Sequence, residues 1–299
     1  MQIEPPAVRV EVSLAEDVLS LGEPMVLRYT FIGTYAEGVH LYMGRNKQGW
    51  LTPALADAEG NLAPPIPDPR MRQGGIYSTG IGASAREHPV EYAVVNRLLR
   101  PTHPGDYWLS ARVRIPYAPR SQTGVSPSQW GEVYGTVLTR EDTFSLTLTA
   151  LDPARLRVVA ERLAEQAAQD DNAALRTLAL QSLFAMPEEY VLPVWRAVTT
   201  SENPRLIDRW GVISDELARV QSAHTADLLA QMVWNPPPAV KAPLNAKIPG
   251  YPVFTVMALS NIGLKFNNMY FTADPALKQH IEELSRAHGR GVPESRMMI

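Results

Sequence analysis

Histidine is a versatile metal ligand and proton carrier, and none of the six histidines in this 299-residue chain has the spacing that either role requires. No His-Glu-x-x-His pair or other zinc spacing is present. His280 and His288 are eight residues apart on one predicted helix without a third ligand near in sequence, so we interpret them as solvated surface residues. The chain has no cysteine, which excludes disulfides, thiolate metal sites and a thiol nucleophile. The residues therefore predict no metal and no cofactor.

The carboxylates and glycines also lack a catalytic arrangement, and we assign no catalytic residue. No Gly-x-Ser-x-Gly turn is present, and Gly80-Ile-Gly-Ala-Ser84 has neither the lysine nor the following helix of a phosphate-binding loop. Acidic pairs such as Asp170-Asp171 fall at helix starts or on exposed faces, where they favour the helix dipole or solubility. The sequence favours a binding protein over an enzyme. It leaves open an active site assembled from carboxylates of both domains, because acid–base catalysis needs them to converge in a cleft.

Charge and hydropathy exclude two classes of partner. The formal net charge is −3 and neither half of the chain is basic, so the footprint of a nucleic-acid-binding protein is missing. The apolar runs are far shorter than the ~20 residues that cross a bilayer, so we expect no transmembrane segment. The first residues, Met1-Gln-Ile-Glu-Pro-Pro6, lack a signal-peptide pattern, which leaves a cytoplasmic protein or a mature exported one. The absence of cysteine leads us to favour the periplasm or the exterior.

Residues 8–150 contain several runs in which apolar and polar residues alternate with a period of two. The longest is Asp106–Ile115, in which one face carries Tyr107, Leu109, Ala111, Val113 and Ile115. Other runs are Val8–Val12, Met25–Phe31 and Thr143–Thr149, and shorter candidates lie at 39–43, 50–55 and 90–99. Such alternation indicates half-buried antiparallel strands. About seven short strands separated by Gly- and Pro-containing turns are typical of an immunoglobulin-like β-sandwich, which we assign to residues 1–150.

One segment, Pro104-Gly-Asp-Tyr-Trp-Leu-Ser-Ala-Arg-Val113, sharpens this assignment. It resembles the Pro-Gly-x-Tyr-x-Leu-x-x-x-Val pattern that begins the penultimate strand of many bacterial immunoglobulin-like domains. The resemblance implies that Gly105 and Tyr107 are structural, with the Tyr107 hydroxyl bonded to the backbone a few residues upstream as a tyrosine corner. The chain departs from that family at residues 117–142, where a short turn is usual. The resemblance concerns the fold and implies no activity.

Two long loops are predicted in this domain, at 61–86 and 117–142. Long loops in a compact domain are usually functional or disordered. Both carry aromatic residues, and the candidate binding residues are Trp50, which precedes the first loop, then Tyr77, Tyr117, Trp130 and Tyr134. Aromatic residues on loops can form a platform for a sugar or a peptide, or they can fold back over the ends of the sandwich. The sequence leaves both interpretations open.

From Leu151 the apolar spacing changes to three and four residues, which predicts amphipathic helices. Asp152 and Asn172 are placed as N-caps, and further helices are predicted at roughly 187–199, 204–219, 222–234, 250–264 and 274–288. Helices that begin at residues 152, 186 and 223 are 34 and 37 residues apart, with a second helix after each. This pattern resembles the HEAT-like α-helical hairpin solenoids, so residues 151–299 are expected to form such a domain. The resemblance gives Pro193 a structural role, since proline often kinks the first helices of these repeats.

The sequence thus predicts a multidomain chain, β then α, with an immunoglobulin-like sandwich followed by a HEAT-like solenoid. The expected function is that of a non-catalytic binding or scaffolding protein, bacterial and extracytoplasmic, whose partner is another protein or a glycan. One alternative is a carbohydrate-binding module or accessory domain that uses Trp50, Tyr77, Trp130 and Tyr134. Another is a peptidase inhibitor that presents the proline-rich loop Pro64–Arg72. The oligomeric state is left open.

Overall fold

A computed structural model describes residues 8–33, 38–42, 51–66, 80–84, 86–119, 137–237 and 252–290. Within these ranges the chain forms nine strands followed by eight helices. It divides into two compact units with a boundary in sequence between Asp152 and Pro153. We call them the β-rich unit and the helical unit. The predicted order, an antiparallel β-rich region followed by a helical region, is confirmed.

The strands of the β-rich unit form two sheets. Their bounds are β1 Val8–Leu14, β2 Val18–Ser20, β3 Val26–Gly33, β4 Val39–Tyr42, β5 Leu51–Asp57, β6 Gly80–Ala83, β7 Val90–Val94, β8 Gly105–Pro119 and β9 Val137–Thr149. The first sheet has the order β1-β3-β7, and the second has the order β2-β9-β8-β4-β6, with β5 also paired to β8. Neighbouring strands are antiparallel, except that β2 runs parallel to β9.

Strand β8 is the centre of the six-stranded sheet. On one side it pairs with β9 from Gly105 to Pro116. On the other side it pairs first with β5 and then, from Tyr117, with β4. Both long strands extend into the segment predicted as the loop 117–142, since β8 ends at Pro119 and β9 begins at Val137. The buried side chains of Ile115 and Leu138 are paired where this extension begins. Residues 120–136 of that segment lie outside the described residues.

Burial follows the period-two pattern of β8. The five side chains predicted to face inward are all buried, namely Tyr107, Leu109, Ala111, Val113 and Ile115. They belong to one hydrophobic cluster that also contains Val10, Leu27 and Phe31 of the three-stranded sheet. The core of the β-rich unit therefore lies where the apolar faces of the two sheets come together.

The start of β8 is fixed by its turn. The Tyr107 hydroxyl donates a hydrogen bond of 2.8 Å to the carbonyl of His103, four residues upstream. Gly105 has a φ of +147°, in a region that residues with a Cβ rarely adopt. These two features hold the segment before β8 against the buried end of the strand.

Eight helices make up the described part of the second unit. Their bounds are α1 Pro153–Gln169, α2 Ala173–Leu183, α3 Glu188–Thr199, α4 Pro204–Ile207, α5 Trp210–Val220, α6 Ala223–Trp234, α7 Pro252–Thr272 and α8 Pro275–Ala287. The Asn172 side chain accepts from the N–H groups of Ala174 and Leu175, which confirms this N-cap. The helix predicted at 204–219 is divided at residues 208–209, and the one predicted at 250–264 continues to Thr272.

Helix contacts within this unit form two rows. Helix α1 contacts α3, α3 contacts α6, and α6 contacts α8. In the second row, α2 contacts α5 and α5 contacts α7, while α1 with α2 and α6 with α7 join the rows. Pro193 lies inside α3, where it supplies no N–H for the carbonyl one turn before it.

Candidate functional site

Only one of the five predicted binding residues lies within the described residues. Trp50, Tyr77, Trp130 and Tyr134 lie outside them. Tyr117 is in β8, paired with Leu41, and it is half-buried against the hydrophobic core. The structure therefore gives Tyr117 a position in the sheet, where its pairing with β4 continues the strand beyond the predicted end.

An exposed apolar surface lies instead on the outer face of the six-stranded sheet. The large apolar side chains exposed in the described part of the β-rich unit are Val18, Leu62 and Trp108, with exposed fractions of 51%, 69% and 58%. The strand register places all three on this outer face. Val18 and Trp108 face outward because the residues next to them in sequence, Leu19 and Tyr107, are buried. Leu62 is on the same face because it pairs with the outward Ala56. Apolar groups that share one face of a sheet are candidates for a contact surface.

Trp108 lies in a row of four residues that crosses the sheet. Ala56 and Ser145 are its direct partners on the two neighbouring strands, and Leu62 pairs with Ala56 on the far side. Leu62 and Trp108 are therefore two strands apart, about 10 Å between backbones. Because Ala56 and Ser145 are small, neither of these direct partners can cover the indole ring of Trp108.

A second row lies next to the first, about 7 Å away along the strands. It consists of Val18, Thr147 and Asp106, which are paired across β2, β9 and β8. The Thr147 hydroxyl donates to a carboxylate oxygen of Asp106 at 2.7 Å. We call the surface made by Val18, Ala56, Leu62, Trp108, Ser145 and Thr147 the Trp108 face.

A tight turn positions Leu62 on this face. The Asp57 carboxylate accepts from the backbone N–H of Asn61 at 2.7 Å, from its side-chain amide at 2.9 Å and from the Glu59 N–H at 3.1 Å. The side-chain bond from Asn61, together with the backbone bonds, lowers the pKa of Asp57, so this carboxylate stays ionised. Gly60 has a φ of +85°, which reverses the chain and returns it opposite Ala56.

Carboxylates lie at the end of the sheet that holds Trp108, and we call five of them the carboxylate rim: Glu16, Asp17, Asp57, Glu59 and Asp106. Asp106 is on the outer face with Trp108, whereas Asp57 is paired with the inward Tyr107. The other three belong to the turns before β2 and after β5. Among the described residues, no basic side chain forms an ion pair with any of the five. Toward the other end of the same face Arg112 is paired across the strands with Glu141. The rim therefore lies at the end of the sheet that holds Trp108, and Asp106 is the member that the strand register places on the same face.

Trp108 was not among the predicted binding residues, although the predicted strand pattern contained the signal. The alternation that puts Tyr107 and Leu109 inward puts Trp108 outward, in the middle of a strand. The rim was not visible in the sequence, because Asp17, Asp57 and Asp106 come together only through pairing of β2, β5, β8 and β9.

In the helical unit, His224 and His280 join neighbouring helices, although His280 was predicted to be a solvated surface residue. His224 Nδ1 lies 2.5 Å from a carboxylate oxygen of Glu188, linking α6 to α3. His280 Nε2 lies 2.8 Å from a carboxylate oxygen of Asp227, linking α8 to α6. The pairs are 36 and 53 residues apart, so only the packing of the helices brings them together.

The described residues contain no group of three or more His, Asp or Glu arranged to hold a metal ion. None of the helices within the described ranges has the length and apolar composition needed to span a membrane.

Comparison with known proteins does not place the chain in a family. No protein-family model and no curated protein matches it. Among solved structures, it is similar to a cryo-electron-microscopy structure of the native conformation of E. coli alpha-2-macroglobulin, at 7% sequence identity with a TM-score of 0.25. The match covers 96% of this chain and 25% of that one, so the chain spans about a quarter of its length. A similarity of this size identifies neither a fold nor a function.

Proposed function

We propose that this chain is a non-catalytic binding protein and that the Trp108 face is its contact surface. The observation that carries the proposal is the 58% exposure of Trp108 in the middle of an ordered strand, between two small residues. Burial of an exposed tryptophan by a partner stabilises a complex through its large apolar area, at about 25 cal/mol per Å². Tryptophan is also among the residues that contribute most to protein interfaces.

We further infer that the β-rich unit is an immunoglobulin-like sandwich. Support comes from the apolar cluster shared by the two sheets and from the hydrogen bond between Tyr107 and the His103 carbonyl. A sandwich of this kind presents rigid sheet faces and edges, on which many proteins of the class bind their partners.

For the helical unit we infer a HEAT-like solenoid. The two helix rows support this, because first helices contact first helices and second helices contact second helices. Such an arrangement gives each repeat its stability through its neighbours, and it is a common scaffold for protein contacts.

A carbohydrate is the second candidate ligand. Hydroxyl side chains border Trp108 on the outer face, from Ser110, Thr143, Ser145 and Thr147. A sugar ring can stack on an indole while its hydroxyl groups bond to such side chains. The loop-aromatic version of this proposal rests on four residues outside the described ones and stays a prediction.

Peptidase inhibition through Pro64–Arg72 also stays a prediction. The first part of this loop is held by the backbone, since Ile66 N–H donates to the Leu98 carbonyl at 2.8 Å and Arg100 N–H donates to the Pro64 carbonyl at 3.0 Å. An inhibitory loop must extend into the cleft of a peptidase, and residues 64–66 are instead paired within their own unit. Residues 67–72 lie outside the described residues.

The test of the Trp108 face uses the full chain and two single variants. Trp108→Ser removes the exposed indole, and Val158→Ser is the control because Val158 is 64% exposed on α1 of the helical unit. Both variants should melt at the temperature of the wild type, since neither side chain is part of a core. Each protein is immobilised and challenged with cell extracts and with a glycan array.

The proposal predicts a ligand that the wild type and Val158→Ser retain and that Trp108→Ser loses. Equal retention of every ligand by all three proteins would refute the Trp108 face as the contact surface.

A further inference from the structure

We infer that the Trp108 face binds a basic, arginine- or lysine-containing segment of a partner protein, an inference that rests on the proposed function. The face combines an exposed indole with the carboxylate rim, and a basic side chain has a favourable interaction with both. Charge complementarity therefore identifies the chemistry of the occupant, which the exposed apolar area alone does not.

Negative charge collects at the end of the six-stranded sheet that holds Trp108. The whole chain has a net charge of only −3, whereas this end has Asp106 on the Trp108 face, Asp57 at the end of β5, and Glu16, Asp17 and Glu59 in the adjoining turns. Asp57 is stabilised in its ionised form by three hydrogen bonds within its turn. The Asp106 carboxylate is oriented by the hydroxyl of Thr147 and lies on the same face as Trp108, two residues away. An approaching cation is attracted by the sum of these charges.

The geometry suits an arginine or lysine side chain. Its aliphatic stem can lie on the apolar surface of Leu62 and Trp108 while its charged end reaches the rim. A guanidinium or ammonium group over the indole gains a cation–π interaction, and a guanidinium can also bond a carboxylate with two parallel N–H groups. Asp106 and Trp108 are about 7 Å apart, the spacing of alternate side chains in an extended peptide. One extended segment can therefore contact both with two side chains of the same face.

The same features argue against other ligands. An acidic peptide or a phosphate group would be repelled by the rim, since like charges at close range disfavour binding. A neutral glycan would use the indole and the neighbouring hydroxyl groups, but it would gain nothing from the net charge of the rim. The rim therefore discriminates between the basic segment and the glycan.

The experiment measures fluorescence anisotropy of a short fluorescein-labelled peptide in which arginine alternates with serine. The control peptide has glutamate in place of arginine, and a neutral chitin oligosaccharide is titrated separately by calorimetry. The full chain is compared with Trp108→Ser and with a rim variant that combines Asp17→Asn, Glu59→Gln and Asp106→Asn. Asp57 is kept because it holds the turn. A matched variant, Glu161→Gln with Glu189→Gln and Glu283→Gln, removes the same charge from exposed sites of the helical unit.

We expect the wild-type chain to bind the arginine peptide and to bind neither the glutamate peptide nor the oligosaccharide. Trp108→Ser and the rim variant should each weaken binding of the arginine peptide by about tenfold or more, equal to ~1.4 kcal/mol, while the matched variant binds like the wild type. Raising the ionic strength from about 0.01 M to about 0.1 M shortens the Debye length from ~30 to ~10 Å, so the wild-type affinity should fall and that of the rim variant should change less.

Equal weakening by the rim variant and the matched variant would overturn the inference, because it would show attraction to the whole chain. Binding of the oligosaccharide that Trp108→Ser abolishes and the rim variant preserves would also overturn it, while leaving the proposed contact surface intact. If Trp108→Ser changes the binding of no ligand in either experiment, the proposed function fails as well.

Discussion

Asn96 connects two segments of the β-rich unit that are more than 70 residues apart, and replacing it should destabilise this unit. Its side-chain oxygen accepts from the Met25 N–H at 2.5 Å, and its amide nitrogen donates to the Glu23 carbonyl at 2.9 Å. Asn96 is buried in the short turn after β7, and Met25 precedes β3. The backbone bond from Val95 N–H to the Met25 carbonyl, 2.8 Å long, completes this junction.

The change Asn96→Leu keeps a side chain of similar size but leaves the Met25 N–H and the Glu23 carbonyl, two buried backbone groups, without their hydrogen-bond partner. A buried polar group without its partner costs about 1–3 kcal/mol, so two such groups give a loss of about 2–6 kcal/mol in the free energy of unfolding. For a mid-range loss of about 4 kcal/mol, the melting temperature of a unit of this size should fall by roughly 8–16 °C. The control is Asn61→Leu, because Asn61 makes its side-chain bond to Asp57 at an exposed site where water can replace it.

Differential scanning calorimetry of the full chain measures how far the melting temperature of the β-rich unit falls. Hydrogen exchange with mass spectrometry gives the local effect, and faster exchange is expected in peptides that contain Met25 and Val95. A shift for Asn96→Leu no larger than that for Asn61→Leu, with unchanged exchange at Met25, would refute the reasoning that this side chain fixes the junction.

Two further substitutions probe hydrogen bonds made by single side chains. Tyr107→Phe removes the 2.8 Å bond to the His103 carbonyl and should cost about 0.5–1.5 kcal/mol in urea unfolding, and no measurable loss would mean that this hydroxyl does not hold the turn. Arg219→Met should cost more, about 3–5 kcal/mol, because a buried guanidinium bonds to Glu216 at 3.0 Å and to the Phe184 carbonyl at 2.9 Å. The matched control is Arg286→Met, which breaks an exposed pair with Glu282 and should change stability by less than about 1 kcal/mol, and equal losses for the two variants would contradict this account.

The strands and helices with local signals could be predicted from the sequence. The inward face of β8 follows from the alternation between Tyr107 and Ile115, and the start of α2 follows from Asn172 before an apolar run. In both cases the residues that determine the structure are neighbours in sequence. The division of the helix predicted at 204–219 had no such signal, because it lies where an amphipathic pattern simply continues.

The candidate site could be predicted only in part, for a different physical reason. The outward position of Trp108 depends on its own strand, but the Trp108 face depends on pairings with β2, β5 and β9. Leu62 reaches the face through the turn at Asp57, whose hydrogen bonds join residues close in sequence. Its neighbour on the face, Trp108, is 46 residues further along the chain, so no local pattern connects the two. The sequence emphasised aromatic residues on loops, and Tyr117 among them proves to extend β8 and pack on the core.

The register of β8 explains why position 108 faces outward, but it does not explain why tryptophan occupies it. A slip of one residue would bury Trp108, Arg112 and Arg114 and expose five apolar side chains, so the register is strongly determined. Threonine, the residue found at 139, 143 and 147 on the outer face of β9, would suit an outward position of β8 equally well for strand formation. An exposed indole adds nothing to the core and little to the strand, and the contact surface that we propose for Trp108 rests on this difference between what the fold requires at position 108 and what occupies it.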